Sequence, residues 1–195
     1  MSEAIFRTVG QALHVSYLME VLPVTQRVST QVLIDSLRKS SGVTDETPAS
    51  DRAVNFGGLS PLEVRGQCAM VRQAVTDHLA EPERHAVQAR YGHKATQATG
   101  VKALAEYLAP VARIEHQTAM LALTWALYQR SRDRRGRHRE DRITLRQIEA
   151  ECGVPRSTVG RAQLVVRHHA QALERRAEAG LRELFERTDL CGIGT

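Results

Sequence analysis

Residues 156–161 read Arg-Ser-Thr-Val-Gly-Arg, and four of them, Arg156, Ser157, Thr158 and Arg161, carry side chains suited to nucleic acid. A guanidinium can bond both acceptors of a guanine edge at once, or two oxygens of a phosphate. Hydroxyls suit phosphates and the base edges beside a thymine methyl. Just upstream, residues 130–142 hold seven arginines against three acids, a balance of +4. Arg130, Arg132, Arg134, Arg135, Arg137, Arg139 and Arg142 are candidate phosphate contacts, and Arg146 and Arg167 extend the set. Alone, such a run reads equally as a solvated loop between helices. Its place directly before a turn motif favours phosphate.

The elements that must position these groups are written into residues 143–166. Thr144 can cap a short helix that turns Leu145 and Ile148 inward and places the small Ala150 at a helix crossing. Gly153 falls where the chain must reverse, and a positive φ is easiest for glycine. Val154 plugs the turn, and Pro155 is preorganised for the first turn of the next helix. Val159, Ala162 and Val166 then face a core, which leaves Arg156, Ser157, Thr158 and Arg161 open. The positive end of that helix, near Pro155, is also expected to attract a phosphate. The apolar stripe continues through Ala170, Leu173, Ala177, Leu181 and Leu184, so a helix of about thirty residues is expected, with Gly180 as a bend or an earlier end. A helix that long can pack along its own chain or pair with a second copy, so a homodimer is one expected arrangement.

Residues 148–159, Ile-Glu-Ala-Glu-Cys-Gly-Val-Pro-Arg-Ser-Thr-Val, resemble the helix-turn-helix of many bacterial regulators, whose pattern is approximately I-A-x-x-x-G-V-S-x-S-T-V. Glu149 and Pro155 stand where that pattern has alanine and serine. The resemblance implies a helix-turn-helix over about 143–173 with double-stranded DNA as its ligand. The Glu149 departure implies a slightly opened crossing, or a small rotation that lets Ala150 pack in its place. A second island, Leu79-Ala80-Glu81-Pro82-Glu83-Arg84-His85-Ala86-Val87-Gln88-Ala89-Arg90-Tyr91-Gly92, is similar to the L-P-x-x-E-R-x-V-x-x-x-R-Y-G opening of sigma-factor region four. That family reads the promoter −35 element and binds RNA polymerase, but there the helix-turn-helix follows closely, whereas here some fifty residues intervene. Phage late-gene antiterminators of the Q type, which carry region-four-like folds with insertions, are a second comparison.

The remaining chain supplies helices and no clear strand. Ile5, Phe6, Val9, Leu13, Tyr17 and Leu18 give near-helical spacing from Glu3 to about Glu20, interrupted at Pro23. Val28, Val32, Leu33 and Leu37 define a second helical face. Ser40 to Gly58 reads as a linker. Ser60-Pro61-Leu62-Glu63 announces a capping box, followed by a face of Cys68, Met70, Val71, Ala74 and Val75. Glu81-Pro82-Glu83 opens another helix, and Gly92 suits its C-terminal cap. A polar stretch from His93 to Gly100 leads to a helix through Val101, Leu104, Ala105 and Leu108, ended by Pro110. The most apolar helix, with Met120, Leu121, Leu123, Trp125 and Leu127, is expected over 114–129. The expectation is an all-α helical bundle: an N-terminal module (1–40), a linker (41–59) and a helical DNA-binding domain (60–195) with a long C-terminal helix.

Composition bounds the function. At 195 residues, with 4% aromatics and a net charge of +5, the chain suits a helical fold and a polyanionic partner. Its three cysteines, Cys68, Cys152 and Cys191, form no CxxC pair, so no zinc ribbon or disulfide framework is readable. His168 and His169 point about 100° apart on a helix, a poor joint metal site. No glycine-rich phosphate loop, GxSxG or HExxH occurs, so neither an enzyme nor a bound cofactor or metal is expected. The longest apolar run, 120–127, is too short to cross a bilayer, and no secretory signal is evident, so a cytoplasmic bacterial or phage protein away from membranes is expected. Two readings remain open: a sequence-specific DNA-binding transcription regulator, and an antitermination factor or sigma-like adaptor that grips RNA polymerase and DNA together.

Overall fold

The computed structural model describes residues 5–22, 54, 56, 59–129, 143–188 and 190–191. They form seven helices and no strand: α1 (Val9–Val21), α2 (Pro61–His78), α3 (Glu81–Tyr91), α4 (Lys94–Ala112), α5 (Gln117–Tyr128), α6 (Leu145–Cys152) and α7 (Arg156–Arg187). The expected helix through Val28 to Leu37 and the arginine run of 130–142 lie outside the described residues. The chain divides into two compact units, Met1–Leu79 with Glu178–Thr195, and Ala80–Ala177.

In the first unit α1 starts later than the apolar spacing suggests. Thr8 caps it, its hydroxyl accepting from the Gln11 N–H at 3.1 Å. Phe6 is thereby released from the helix. Its N–H donates to the Leu190 carbonyl at 2.9 Å, and its fully buried ring meets Phe56 edge-on at 6.3 Å. Val54 and Phe56 are themselves buried, so this end of the expected linker contributes to the core. The capping box at α2 forms as the sequence predicts, Ser60 and Glu63 each accepting from the other's N–H. Val64, Cys68, Val71 and Val75 turn inward, but Met70, expected among them, is 57% exposed. It stands two positions from Cys68, about 200° around the helix. α2 packs on α1. Arg65 donates to the carbonyls of Met19 and Leu22, so α2 satisfies acceptors at the C-terminal end of α1 that its own ladder leaves open, and Arg72 adds a second bond to the Ser16 carbonyl.

The second unit holds α3 to α6 and α7 as far as Ala177. Its core joins Ala86 and Ala89 of α3 and Val101, Leu104 and Leu108 of α4 to Met120 and Leu123 of α5, Ile148 of α6 and Val159, Ala162 and Val166 of α7. Two expectations are corrected in α4. The polar stretch after His93 is already helical, and Pro110 lies inside the helix, which ends at Arg113 in the left-handed region (φ 53°). Pro110 comes in the last turn and is exposed with Glu106, whose carbonyl loses a helical partner where water can replace it. The α3–α4 crossing is so close that a methyl group on Gly100 would lie 2.6 Å from the Ala89 backbone nitrogen. Gly92 does end α3, but in extended backbone (φ −61°). Its smallness is what counts, since a Cβ there would sit 2.3 Å from the Gln88 carbonyl oxygen. α5 begins three residues after its expected start, where the His116 ring accepts from the Ala119 N–H.

Candidate nucleic-acid interface

The α6–α7 pair is built by local chemistry at each end of its turn. Thr144 and Gln147 form a reciprocal capping box, with side-chain oxygens accepting from the Gln147 N–H at 3.2 Å and the Thr144 N–H at 2.8 Å. α6 then buries Ile148 and stops at Gly153, whose φ of 68° is left-handed and whose N–H donates to the Glu149 carbonyl at 2.9 Å. A Cβ at Gly153 would meet nothing within 4 Å, so conformation, not space, calls for glycine there. Pro155 stands just before α7 instead of in its first turn. Its carbonyl accepts from the N–H groups of Thr158 and Val159. Val159, Ala162 and Val166 are buried, as their spacing predicts.

Ala150, expected at the crossing, is exposed, and a Cβ at Gly160 would make only ordinary contact, 3.9 Å, with a Leu145 methyl carbon. Glu149, in the place where the regulator pattern has alanine, reaches across the turn and accepts from the Arg156 N–H at 3.0 Å. A carboxylate of the chain itself therefore occupies the positive end of α7 where a phosphate was expected near Pro155. In the pattern Glu149 is only a departure at a packing position; the signal for its capping role is a carboxylate seven residues before the start of a helix, across a glycine turn.

Beyond the cap, Arg156, Ser157 and Arg161 are exposed, whereas Thr158 is half-buried and turned partly toward the core. At 100° per residue Ser157, Arg161, Leu164 and His168 fall within about 60° of one another, opposite Val159 and Val166. Arg156 lies on one flank of that stripe and Thr158 on the other. The Arg161 Nε–H donates to the Ser157 carbonyl at 3.4 Å, which lays the side chain along the helix. Arg146 and Arg167 are exposed on α6 and α7. The rings of His168 and His169 meet edge-on at 5.6 Å. Among the described residues no group of three or more His, Cys, Asp or Glu could hold a metal ion.

Arg130, Arg132, Arg134, Arg135, Arg137, Arg139 and Arg142 lie outside the described residues, but the positions that bracket them are joined. The Ile143 N–H donates to the Gln129 side-chain carbonyl at 2.9 Å.

The sequence island resembling region four also connects to α7. Glu174, only 6% exposed, accepts from Arg90 of α3 and, at 2.9 Å, from the Tyr128 hydroxyl of α5. Glu83 pairs with Arg176 at 3.1 Å. Burial first, and then the Glu174 carboxylate, push the Tyr128 hydroxyl well above the usual tyrosine range. Beside this cluster is a cleft of about 550 Å³ lined by Arg90, Gln97, Trp125, Gln129, Gln171 and Glu174 among others. No described helix is long and apolar enough to cross a membrane. In sequence, the chain matches no family model among known proteins, and no curated protein is similar to it.

Proposed function

We propose that the chain binds double-stranded DNA through α6 and α7 acting as a helix-turn-helix, and that it regulates transcription by doing so. The observation that carries this reading is the arrangement of α7. Its buried residues, Val159, Ala162 and Val166, join the same core as Ile148, while Ser157 and Arg161 stand on the opposite, exposed side immediately after a left-handed glycine turn. A helix presented in this way can enter a major groove, where Arg161 bonds a guanine edge and Ser157 a base edge or phosphate. Arg156, Arg146 and Arg167 flank it as phosphate contacts. The arginines of 130–142 add sequence-independent attraction for phosphates. Thr158, half-buried, has a lesser part in base reading than its hydroxyl alone suggests.

A second reading is favoured by one observation, the ties from α3 to α7 through Arg90–Glu174 and Glu83–Arg176. They hold the region-four-like island and the proposed reading helix in one unit. In that reading the protein is a sigma-like adaptor or late antiterminator, with RNA polymerase as a partner and DNA contact for placement.

The direct test titrates the full chain against labelled mixed-sequence duplex and against a site selected from a randomised pool, at 50 and 200 mM salt, using wild type and Arg161→Ala. On this reading, wild-type affinity falls steeply with salt, and Arg161→Ala lowers affinity for a selected site by about 1–3 kcal/mol while changing mixed-sequence binding far less. Absence of duplex binding even at the lower salt refutes it.

A further inference from the structure

We infer that Leu164 is a specificity-determining residue that reads the 5-methyl group of a thymine, so that the preferred duplex carries a thymine next to the base pair met by Arg161. This rests on the DNA-binding reading above. A single exposed leucine carries little meaning by itself, because apolar side chains are common on protein surfaces. The register of this one is what matters. Leu164 is 66% exposed and lies one turn beyond Arg161, in the stripe Ser157–Arg161–Leu164–His168 that faces directly away from the core. The position one turn before it on the same side is Gly160, where even a built Cβ would meet only a Leu145 methyl carbon at 3.9 Å. Leu164 therefore projects from its face with Arg161 of the preceding turn on one side of it and only a glycine on the other. Val165, 36% exposed, widens the apolar surface on one flank.

The chemistry on offer matches one feature of the major groove. Arg161 and Ser157 present hydrogen-bonding groups for base edges, and the thymine methyl is the apolar element of that groove. A leucine inserted between an arginine and a histidine would leave its hydrocarbon against polar edges unless it met that methyl. Burial of one methyl-sized group changes affinity about fourfold, which is the size of effect to expect.

The experiment uses the full chain and its best duplex from a randomised pool, with each thymine replaced in turn by deoxyuridine, which removes only the methyl. For wild type one replacement weakens binding about fourfold. Leu164→Ala binds the parent duplex about fourfold more weakly and is indifferent to that same replacement, whereas Ser157→Ala still responds to it. Circular dichroism confirms that both variants fold, and sedimentation gives their mass. Wild type that is insensitive to every replacement overturns the inference, as does Leu164→Ala that keeps the full methyl response. Leu164→Ala that alters self-association but not the methyl response assigns the residue to a second copy of the chain, and overturns it too. Failure to enrich any duplex refutes the DNA-binding reading itself, a result distinct from all of these.

Discussion

Removing the Glu149 carboxylate should lower stability and raise DNA affinity at the same time. Its Oε1 sits 3.0 Å from the Arg156 nitrogen, on the first N–H of α7, at an exposed position. Loss of a side-chain cap costs about 0.5–2 kcal/mol, and exposure places Glu149→Ala near 1 kcal/mol. For a chain of this size that is a drop of roughly 2–4 °C in Tm. The effect on binding has the opposite sign. A phosphate about 6 Å from the carboxylate feels roughly 0.7 kcal/mol of repulsion in bulk water, and more beside a low-dielectric groove wall. Glu149→Ala should therefore bind duplex about threefold more tightly, or better, at low salt, with the gain shrinking as salt screens the charge. Glu149→Gln keeps an acceptor for the Arg156 N–H and loses only the charge. It should melt close to wild type and bind as tightly as Glu149→Ala. Thermal melts and fluorescence anisotropy on mixed-sequence duplex read both quantities. Unchanged affinity in both variants would show that the start of α7 is not near phosphate. Weaker binding by Glu149→Gln would show that the carboxylate itself makes a favourable contact.

Gly100→Ala and Gly66→Ala should differ in sign when unfolded by urea. The first drives a Cβ to 2.6 Å from α3 backbone and should destabilise by several kcal/mol, whereas the second meets nothing within 4 Å on the exposed face of α2 and should stabilise by about 0.5–1 kcal/mol. Tyr128 should make the fold sensitive to alkali. Its ionisation is shifted upward in the folded state, so its contribution to stability is intact below the unfolded tyrosine value of about 10 and is lost as pH rises above it. Urea unfolding at pH 9 and 11 should show a larger fall for wild type than for Tyr128→Phe, by about 1 kcal/mol; equal falls would remove Tyr128 from the account.

The features read correctly from sequence are those written within one or two helical turns. The Ser60–Glu63 and Thr144–Gln147 boxes and the left-handed Gly153 depend on neighbours three or four residues away, and the first and the third were expected in those places. The alternation of Val159, Ala162 and Val166 also fixed the buried side of α7 in advance. Features set by distant partners were not legible. Phe6 stands outside α1, and the partner that takes up its N–H, Leu190, is far along the chain. Residues 94–100 include two threonines and a glycine, poor helix formers, and are helical because Gly100 lets α4 pack against Ala89. The Arg90–Glu174 tie joins residues 84 apart, and nothing local marks Glu174 as the buried member of a surface-like run of charges. At the candidate site, the four residues proposed from sequence occupy one helix end, but helical geometry reorders them: Ser157 and Arg161 share the central stripe with Leu164, and Arg156 and Thr158 move to its flanks.

The measurement that bears most directly on the central claim is selection from a randomised duplex pool by the full chain, at two salt concentrations, with and without RNA polymerase. Enrichment of one sequence motif by the protein alone, lost in Arg161→Ala, is the result this account predicts. Enrichment only in the presence of polymerase would move the protein to the sigma-like adaptor reading. No enrichment in either arm would contradict the account and leave α6 and α7 as a helical hairpin with a structural role.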